Sequence, residues 1–401
     1  MSKIAFATLG CKLNYAETST YRRGFEAAGW EVVPWTQPAD VYLVNTCAVT
    51  AVAEKKSRNL IRRAHSLSPD ARILVTGCYA QLRRPELESM EGVWRVYGAN
   101  EKHKILNDNA IETSVFSAYS TGERTRSFLK VQDGCDNFCA YCTVPFARGR
   151  SRSLPICEVV RNAKEIAESG VREVVLTGVN TGDYGRGTSE SFLDLLKALN
   201  GVSGIDRYRI SSIEPNLITE EIVDWIASGT KFQPHFHIPL QSGSDTLLKK
   251  VGRRYDTALF ASRIDYIRSR MGQNVFFGID VIVGLPGETE ELFQETVAFL
   301  RDRIRPAFIH VFPYSKRPGT RAAEWPDQVP ESVKKERVDA LETLCAQLHE
   351  EFVQSCKGQR AEVLWESAHK DGMMGGYTGN YIRVERPWDA SRVNTLEEVV
   401  L

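Results

Sequence analysis

The chain has 401 residues, 42% of them apolar and 25% charged, and its 51 basic and 51 acidic side chains leave no net charge at pH 7. That length supports two or three domains with buried cores. The neutral balance excludes a broadly cationic nucleic-acid binder, so any RNA contact has to come from local basic patches. No stretch approaches the ~18 apolar residues of a membrane span, and the first ten residues carry no long apolar signal segment. With nine cysteines, the expectation is a soluble cytoplasmic protein whose thiolates serve as metal ligands in a reducing compartment.

Taken in chain order, the first third alternates short apolar runs with helical patterns. Strands are expected over residues 3–9, 41–45 and 72–76, and helices over 15–28 and 53–65. This alternation implies a parallel sheet covered by helices. Cys11 in Thr-Leu-Gly-Cys-Lys-Leu-Asn, Cys47 in Val-Asn-Thr-Cys-Ala-Val-Thr and Cys78 in Leu-Val-Thr-Gly-Cys-Tyr-Ala each fall just past the carboxyl end of a strand. In open α/β sheets those ends converge on one crevice. A single cysteine is most often a small buried apolar residue, but three in the same topological slot point to thiolates gathered on one metal group. Residues 117–125, rich in Ser, Thr and Gly, read as a linker.

A second βα series follows. Strands are expected over 127–132, 173–177, 207–212, 235–239, 275–283 and 307–313, and helices over 155–169, 191–199, 219–227, 257–270 and 288–301. Six βα units suit an incomplete barrel with its reactive groups at the carboxyl ends of the strands. A longer helix is expected over 331–356. Beyond it, strands over 361–365, 376–384 and 395–400 make a small β module. The expected organisation is therefore an α/β chain: an N-terminal parallel α/β sandwich (1–116), a partial (βα)6 barrel (126–356) and a C-terminal β module (358–401).

Just after the first barrel strand stands Asp133-Gly-Cys-Asp-Asn-Phe-Cys-Ala-Tyr-Cys-Thr, which places Cys135, Cys139 and Cys142 in a C-x3-C-x2-C triplet. A cubane iron-sulfur cluster has four iron corners, so three thiolates leave one iron open to bind something else. Zinc sites usually pair cysteines as C-x2-C twice or combine them with His, and no second pair or nearby His follows. A disulfide reading leaves one thiol over.

The pattern C-x3-C-x-aromatic-C resembles the signature of the radical S-adenosylmethionine (SAM) superfamily, whose open iron is chelated by the amino and carboxylate groups of SAM. Together with the three separated cysteines, nearly the whole chain resembles the methylthiotransferase family of radical SAM enzymes. Residues 358–401, with Gly376-Tyr-Thr-Gly-Asn-Tyr-Ile-Arg-Val, resemble a short TRAM domain, an RNA-binding β module. Thr8-Leu-Gly-Cys-Lys-Leu-Asn-Tyr-Ala-Glu-Thr, Ile238-Pro-Leu-Gln-Ser-Gly-Ser and His310-Val-Phe-Pro-Tyr-Ser-Lys-Arg-Pro-Gly-Thr are most similar to the branch that acts on N6-threonylcarbamoyladenosine in tRNA.

The resemblance implies two 4Fe-4S clusters and SAM as cofactors. The cluster on Cys135, Cys139 and Cys142 would pass an electron to SAM and release a 5′-deoxyadenosyl radical. The cluster on Cys11, Cys47 and Cys78 would supply sulfur, methylated by a second SAM, and the product would be a methylthioether at C2 of an adenosine beside the anticodon. Both clusters must then face one cavity, with the N-terminal crevice against the mouth of the barrel. Implied partners are tRNA, an electron donor of the flavodoxin or ferredoxin type and a sulfur source; no membrane is implied. The TRAM-like segment ends within its last strand, which implies reduced RNA contacts. Alternatives within the family are an isopentenyladenosine tRNA or a ribosomal-protein aspartate as substrate. Outside it stand a non-catalytic iron-sulfur RNA-binding or sensing protein and a zinc-stabilised RNA-binding module.

For SAM, the resemblance points to Tyr141 beside the adenine, with a core aromatic as the alternative, and to Gly178 and Asn180 at the amino end. Glu214 offers a carboxylate for the ammonium or ribose, and Gln241 can hydrogen-bond both ways. Gly284 and Gly287 stand where missing side chains let backbone approach a ligand; the alternative for all of these is an ordinary βα turn. Asp280 reads as a core polar group. No catalytic side chain beyond the clusters is indicated. Three basic groups could hold tRNA phosphates: Lys55, Arg58 and Arg62, with Lys56 and Arg63; Arg148, Arg150 and Arg152; and Arg253 and Arg254, with Lys249 and Lys250. A solvated charged face is the default for each. The seven histidines form no ligand spacing, and Cys157, Cys345 and Cys356 read as packing residues in helices.

Overall fold

The computed structural model describes residues 1–111, 118–122 and 124–401. The N-terminal sheet contains β1 (Lys3–Thr8), β2 (Glu31–Val32), β3 (Val41–Thr46), β4 (Arg72–Gly77) and β5 (Val93–Val96), in the order β2-β1-β3-β4-β5. Every ladder is parallel. β3 is buried at all six positions, as a central strand covered on both faces must be. Its side chains alternate between the two layers. Val41 and Leu43 join Ile4, Leu74 and the Tyr21 and Phe25 side chains of the helix Lys12–Ala27. Tyr42 and Val44 join Ala5, Ile73, Val75 and the Ile61 and Ala64 side chains of the helix Ala51–Leu67.

The barrel strands are β6 (Arg126–Lys130), β9 (Glu173–Thr177), β10 (Arg207–Ile210), β11 (His235–Gln241), β12 (Phe276–Val283) and β13 (Phe308–Pro313). Between the first two of these, β7 (Gln132–Asp133) pairs antiparallel with β8 (Arg152–Ser153) and clasps the base of the loop that carries the cysteine triplet. The six long strands stand in chain order as two parallel sheets, β6-β9-β10 and β11-β12-β13. The Gln233 amide donates to the Tyr208 carbonyl at 2.9 Å and the Ile213 amide to the His237 carbonyl at 3.0 Å, lacing the two halves together. The result is the expected incomplete barrel around one apolar core. Its helices begin where capping chemistry starts them: the Thr219, Asp256 and Thr289 side chains each accept an amide of the first turn, and Ser191 with Asp194 forms a capping box. The helix Glu331–Ser355 closes the series, and its Cys345 Sγ accepts the Ile309 amide of β13 at 3.2 Å.

The C-terminal sheet is antiparallel, with β14 (Arg360–Lys370), β15 (Met373–Thr378), β16 (Arg383–Pro387) and β17 (Leu396–Val400) in the order β16-β15-β14-β17. The single strand expected over 376–384 is two strands, because the chain reverses at Gly379-Asn380-Tyr381, where Tyr381 adopts φ +65°. This sheet is bolted to the barrel. Arg207 donates to the Tyr377 and Glu362 carbonyls at 3.1 and 2.5 Å, and Arg209 to the Gly379 and Thr378 carbonyls at 2.7 and 2.8 Å. The expected linker needs correction. Residues 112–117 and 123 lie outside the described residues, as does the first domain boundary at 116. Ala118 and Ser120, however, bond antiparallel to β6 through Lys130 and Phe128.

Candidate two-cluster site

β1, β3 and β4 are neighbours, so the loops beyond their carboxyl ends bring Cys11, Cys47 and Cys78 together. Side chains lock these loops to one another. Asn14 Nδ2 donates to the Leu9 and Thr46 carbonyls at 2.8 and 3.0 Å, Asn45 Nδ2 to the Asn14 carbonyl at 3.0 Å, and Thr46 Oγ1 to the Thr76 carbonyl at 2.6 Å. Two glycines are sterically required. A Cβ on Gly10, at φ +104°, would stand 3.1 Å from Cys47 Sγ, and one on Gly77, at φ +99°, would stand 2.3 Å from the Thr46 carbonyl oxygen. Cys47 and Cys78 are buried and Cys11 is exposed. Burial first, then the charges of Cys78 and Cys11, push the Cys47 thiol up to about 11; burial and the Cys11 charge push Cys78 up, with Arg148 opposing both. Each of these buried thiols feels its neighbours, as three convergent sulfurs must.

The second triplet sits on the loop held by β7 and β8. A Cβ on Gly134 would fall 2.0 Å from the Arg150 carbonyl oxygen, so only glycine fits there. The Asn137 amide donates to Cys135 Sγ and the Val144 amide to Cys142 Sγ, both at 3.4 Å, while Arg253 donates to Cys139 Sγ at 3.3 Å. Donors aimed at sulfur favour thiolates. Burial, and then the neighbouring sulfurs, push the thiols up, to about 11 for Cys135 and about 12 for Cys142. Each set offers three thiols, the donor number of an iron-sulfur cluster with one open corner. The other three cysteines are elsewhere: Cys345 and Cys356 are buried, and Cys157 is exposed rather than packed.

A cavity of about 180 Å³ is lined by Cys142 of the second set and by residues close in sequence to Cys47 of the first. Val49 and Thr50, just past Cys47, form one wall; Tyr141, Cys142, Gln241 and Asp280 form others. Arg317 ties the domains across this cavity by pairing with Glu54 on the helix after Cys47. A second cavity of about 370 Å³ runs from Cys11 and Lys12 past Phe128, Arg209 and His235 to Tyr381 of the C-terminal sheet. Asp280 is no isolated core residue: it meets His237 Nε2 at 2.6 Å, and ligand atoms of His237, Asp280 and His310 lie within 4.8 Å of one another.

The residues expected to hold SAM divide into two groups. Tyr141 and Gln241 line the first cavity, Gln241 with φ +70°. Glu214 is buried and pairs with Arg253 at 2.5 Å, and burial pushes its carboxyl up despite that cation. Asn180 accepts the Glu214 amide at 3.2 Å, and Gly178 stands against Gln132 Oε1, which accepts the Val179 and Asn180 amides. At Gly284 and Gly287 the space a side chain would take is already filled. A Cβ on Gly284 would meet Lys334 at 2.3 Å and one on Gly287 would meet Lys250 at 2.2 Å, so this chain's own side chains use the room.

The basic groups divide in the same way. Arg148 and Arg253 are interior struts rather than phosphate contacts: their side chains are 3% and 5% exposed and both are paired with carboxylates. Arg58 is committed to the Tyr79 hydroxyl at 2.6 Å and to Glu86 at 3.2 Å. Lys55, Arg62, Arg150, Arg152 and Arg254 are exposed. Sequence reasoning missed the network that Arg148 belongs to. Glu17 meets Lys102 at 2.6 Å, Lys130 at 2.7 Å and Arg148 at 3.2 Å, and Asp133 meets Lys130, Arg148 and Arg152 at 2.6 to 2.9 Å. These partners are scattered over the chain, and no local spacing marks them.

Residues 129–300 match the radical SAM superfamily and residues 3–98 match the family described as "Uncharacterized protein family UPF0004". The fold and the cysteine triplet thus define a radical SAM protein. A Bacillus subtilis protein named threonylcarbamoyladenosine tRNA methylthiotransferase is 41% identical, over 96% of this chain and 90% of that protein. A protein of the same name from Aquifex aeolicus is 37% identical, over 96% of both chains. One from Desulfitobacterium hafniense named tRNA-2-methylthio-N(6)-dimethylallyladenosine synthase is 31% identical, over 100% of this chain and 94% of that protein. The chain belongs to the methylthiotransferase family of radical SAM enzymes. In fold it is similar to the radical SAM methyltransferase TsrM from Kitasatospora setae (TM-score 0.59, 15% identity, 94% of this chain and 81% of that one).

Proposed function

We propose that the protein methylthiolates C2 of N6-threonylcarbamoyladenosine next to the anticodon of tRNA. The observation that carries this reading is the shared cavity: residues that follow Cys47 and residues of the Cys135–Cys139–Cys142 loop face the same space. When bound, a 4Fe-4S cluster on Cys135, Cys139 and Cys142 with SAM supplies the radical, and a second on Cys11, Cys47 and Cys78 supplies the sulfur. The chain's own residues do the rest. Arg253 links Glu214, Cys139 Sγ and the Tyr141 hydroxyl, holding the SAM side of the cavity in register. Tyr314 and Arg317 are the buried part of the wall, while Val49 and Phe312 stand exposed at the rim where substrate would enter. Exposed Lys55, Arg62, Arg150, Arg152 and Arg254 are assigned to tRNA phosphates, with the C-terminal sheet as an RNA-binding module. Three domains, at 1–116, 126–356 and 358–401, a cytoplasmic location, a flavodoxin or ferredoxin electron donor and a separate sulfur source complete the reading; among the described residues no helix is long and apolar enough to cross a membrane.

Mass spectrometry of tRNA nucleosides from cells lacking the protein tests this. Loss of 2-methylthio-N6-threonylcarbamoyladenosine, with its unthiolated precursor accumulating, is the expected result. Loss of a methylthiolated isopentenyladenosine instead, or no change in tRNA, overturns it.

A further inference from the structure

The cavity beside Cys11 carries more positive charge than the chain neutralises. Arg209 is paired with Glu173 at 2.7 Å and Arg126 with Glu366 at 2.8 Å. Lys12 and Arg124 line the same cavity and have no ion-pair partner among the described residues. Asp280 is the acid whose charge acts on Lys12, without pairing with it, and it is already engaged by His237 at 2.6 Å. Three aromatic rings, Tyr15, Phe128 and Tyr381, share the remaining wall with Thr8, Gly10, Val175 and His235, and Arg124 lies 4.8 Å above the Tyr15 ring. Tyr381 comes from the left-handed turn of the C-terminal sheet and is fixed by Arg126, which donates to its hydroxyl at 2.7 Å. A cavity with flat aromatic walls, an unspent ammonium and a sulfur ligand at its mouth suits a planar base bearing an anionic arm.

We infer that Lys12 selects the substrate by binding the free carboxylate of the threonylcarbamoyl arm while the base stands at Cys11. This rests on the proposed tRNA substrate. Threonine joined to N6 through its amine as a carbamoyl keeps one carboxylate, whereas a dimethylallyl arm has no charge to offer. An anticodon phosphate offers the same anionic chemistry, and the two sources respond differently to changes on the arm.

The test is binding of the cluster-loaded protein, wild type and Lys12→Met, to anticodon stem-loops that carry threonylcarbamoyladenosine, its carboxamide, or plain adenosine. Wild type should prefer the carboxylate over the carboxamide by about 10-fold or more, the scale of one charge-assisted hydrogen bond. K12M should lose that preference while binding the plain adenosine RNA as wild type does. Equal wild-type affinity for carboxylate and carboxamide overturns the inference even if K12M loses its cluster. An equal loss by K12M on all three RNAs assigns Lys12 to a phosphate and also overturns it. The substrate reading itself fails separately, if wild type does not methylthiolate the threonylcarbamoyl RNA at all.

Discussion

Arg148, in the turn after Cys142, reaches Glu17, in the helix that Cys11 opens, at 3.2 Å, and both side chains are buried. This pair fixes the N-terminal crevice against the barrel mouth, and with it the spacing of the two cysteine sets. Arg148 also meets Asn14 Oδ1, whose amide nitrogen holds two of the cysteine loops. Removing one partner of a buried charged network costs about 3–5 kcal/mol, because the others are left uncompensated.

Glu17→Gln should therefore be less stable than wild type at neutral pH, by a few kcal/mol on that scale. Burial, the largest influence on Glu17, pushes its carboxyl up, but Lys102, Lys130 and Arg148 together outweigh it and hold the carboxyl far below the usual carboxylate range. A depressed carboxyl contributes stability that is fully present above the unfolded value of about 4.3 and is lost as pH falls toward the folded value. Denaturant midpoints measured from about pH 7 down to 3 should fall more steeply for wild type than for E17Q below about pH 4.3, so that the gap between them narrows. Parallel curves would sink the assignment.

Gly77→Ala should empty the N-terminal site selectively. The new methyl would lie 2.3 Å from the Thr46 carbonyl oxygen, at a φ of +99° that side chains avoid, so the turn holding Cys78 has to shift. Anaerobically reconstituted G77A should hold about four irons where wild type holds about eight, the contents of one and two 4Fe-4S clusters. It should still cleave SAM without product RNA. Full iron content in G77A would contradict the strain argument.

How legible this site was depended on sequence separation. The C-x3-C-x2-C triplet is local, and three cysteines after three strands are legible because strand order in a parallel sheet converts topology into proximity. Arg148 and Arg253 read as surface charge because burial by a distant domain leaves no trace in their neighbours. Gly284 and Gly287 carried a turn signal that could not say whether a ligand or Lys334 and Lys250 would fill the space. Lys12 was invisible: only the assembled cavity brings it to the same space as Tyr381 of the C-terminal sheet. The split of the strand expected over 376–384 turned on one left-handed residue, Tyr381, which its type does not announce.

Arg253→Met should lower the reduction potential of the cluster on Cys135, Cys139 and Cys142. A guanidinium donating to Cys139 Sγ at 3.3 Å favours the more negative, reduced state. Its loss should shift the midpoint downward by tens of mV, roughly 60 mV for a tenfold change in a one-electron equilibrium. Potentiometric titration followed by electron paramagnetic resonance reads this directly, and an unchanged midpoint would remove Arg253 from the cluster's tuning. Arg253→Lys should recover part of the shift, since it restores the charge without the fork that reaches Glu214.

The exposed rim of the cluster loop combines charge with stacking surface. Phe138 and Phe146 are 37% and 52% exposed and meet edge to face at 5.9 Å, and Arg150 lies 4.7 Å above the Phe138 ring. Exposed aromatics beside an exposed cation are what a splayed nucleotide and its phosphate engage. Among the described residues the Arg150 side chain pairs with Asp136, at 3.2 Å and 75% exposed, so solvent screening leaves its charge available. Arg150→Glu should weaken tRNA binding and lower the slope of log affinity against log salt by about one. Phe138→Ala should weaken binding by about 1–3 kcal/mol with no change in slope, since stacking releases no counterions. Filter-binding isotherms at several salt concentrations separate the two effects. If both variants bind as wild type does, tRNA approaches from another face of the barrel mouth.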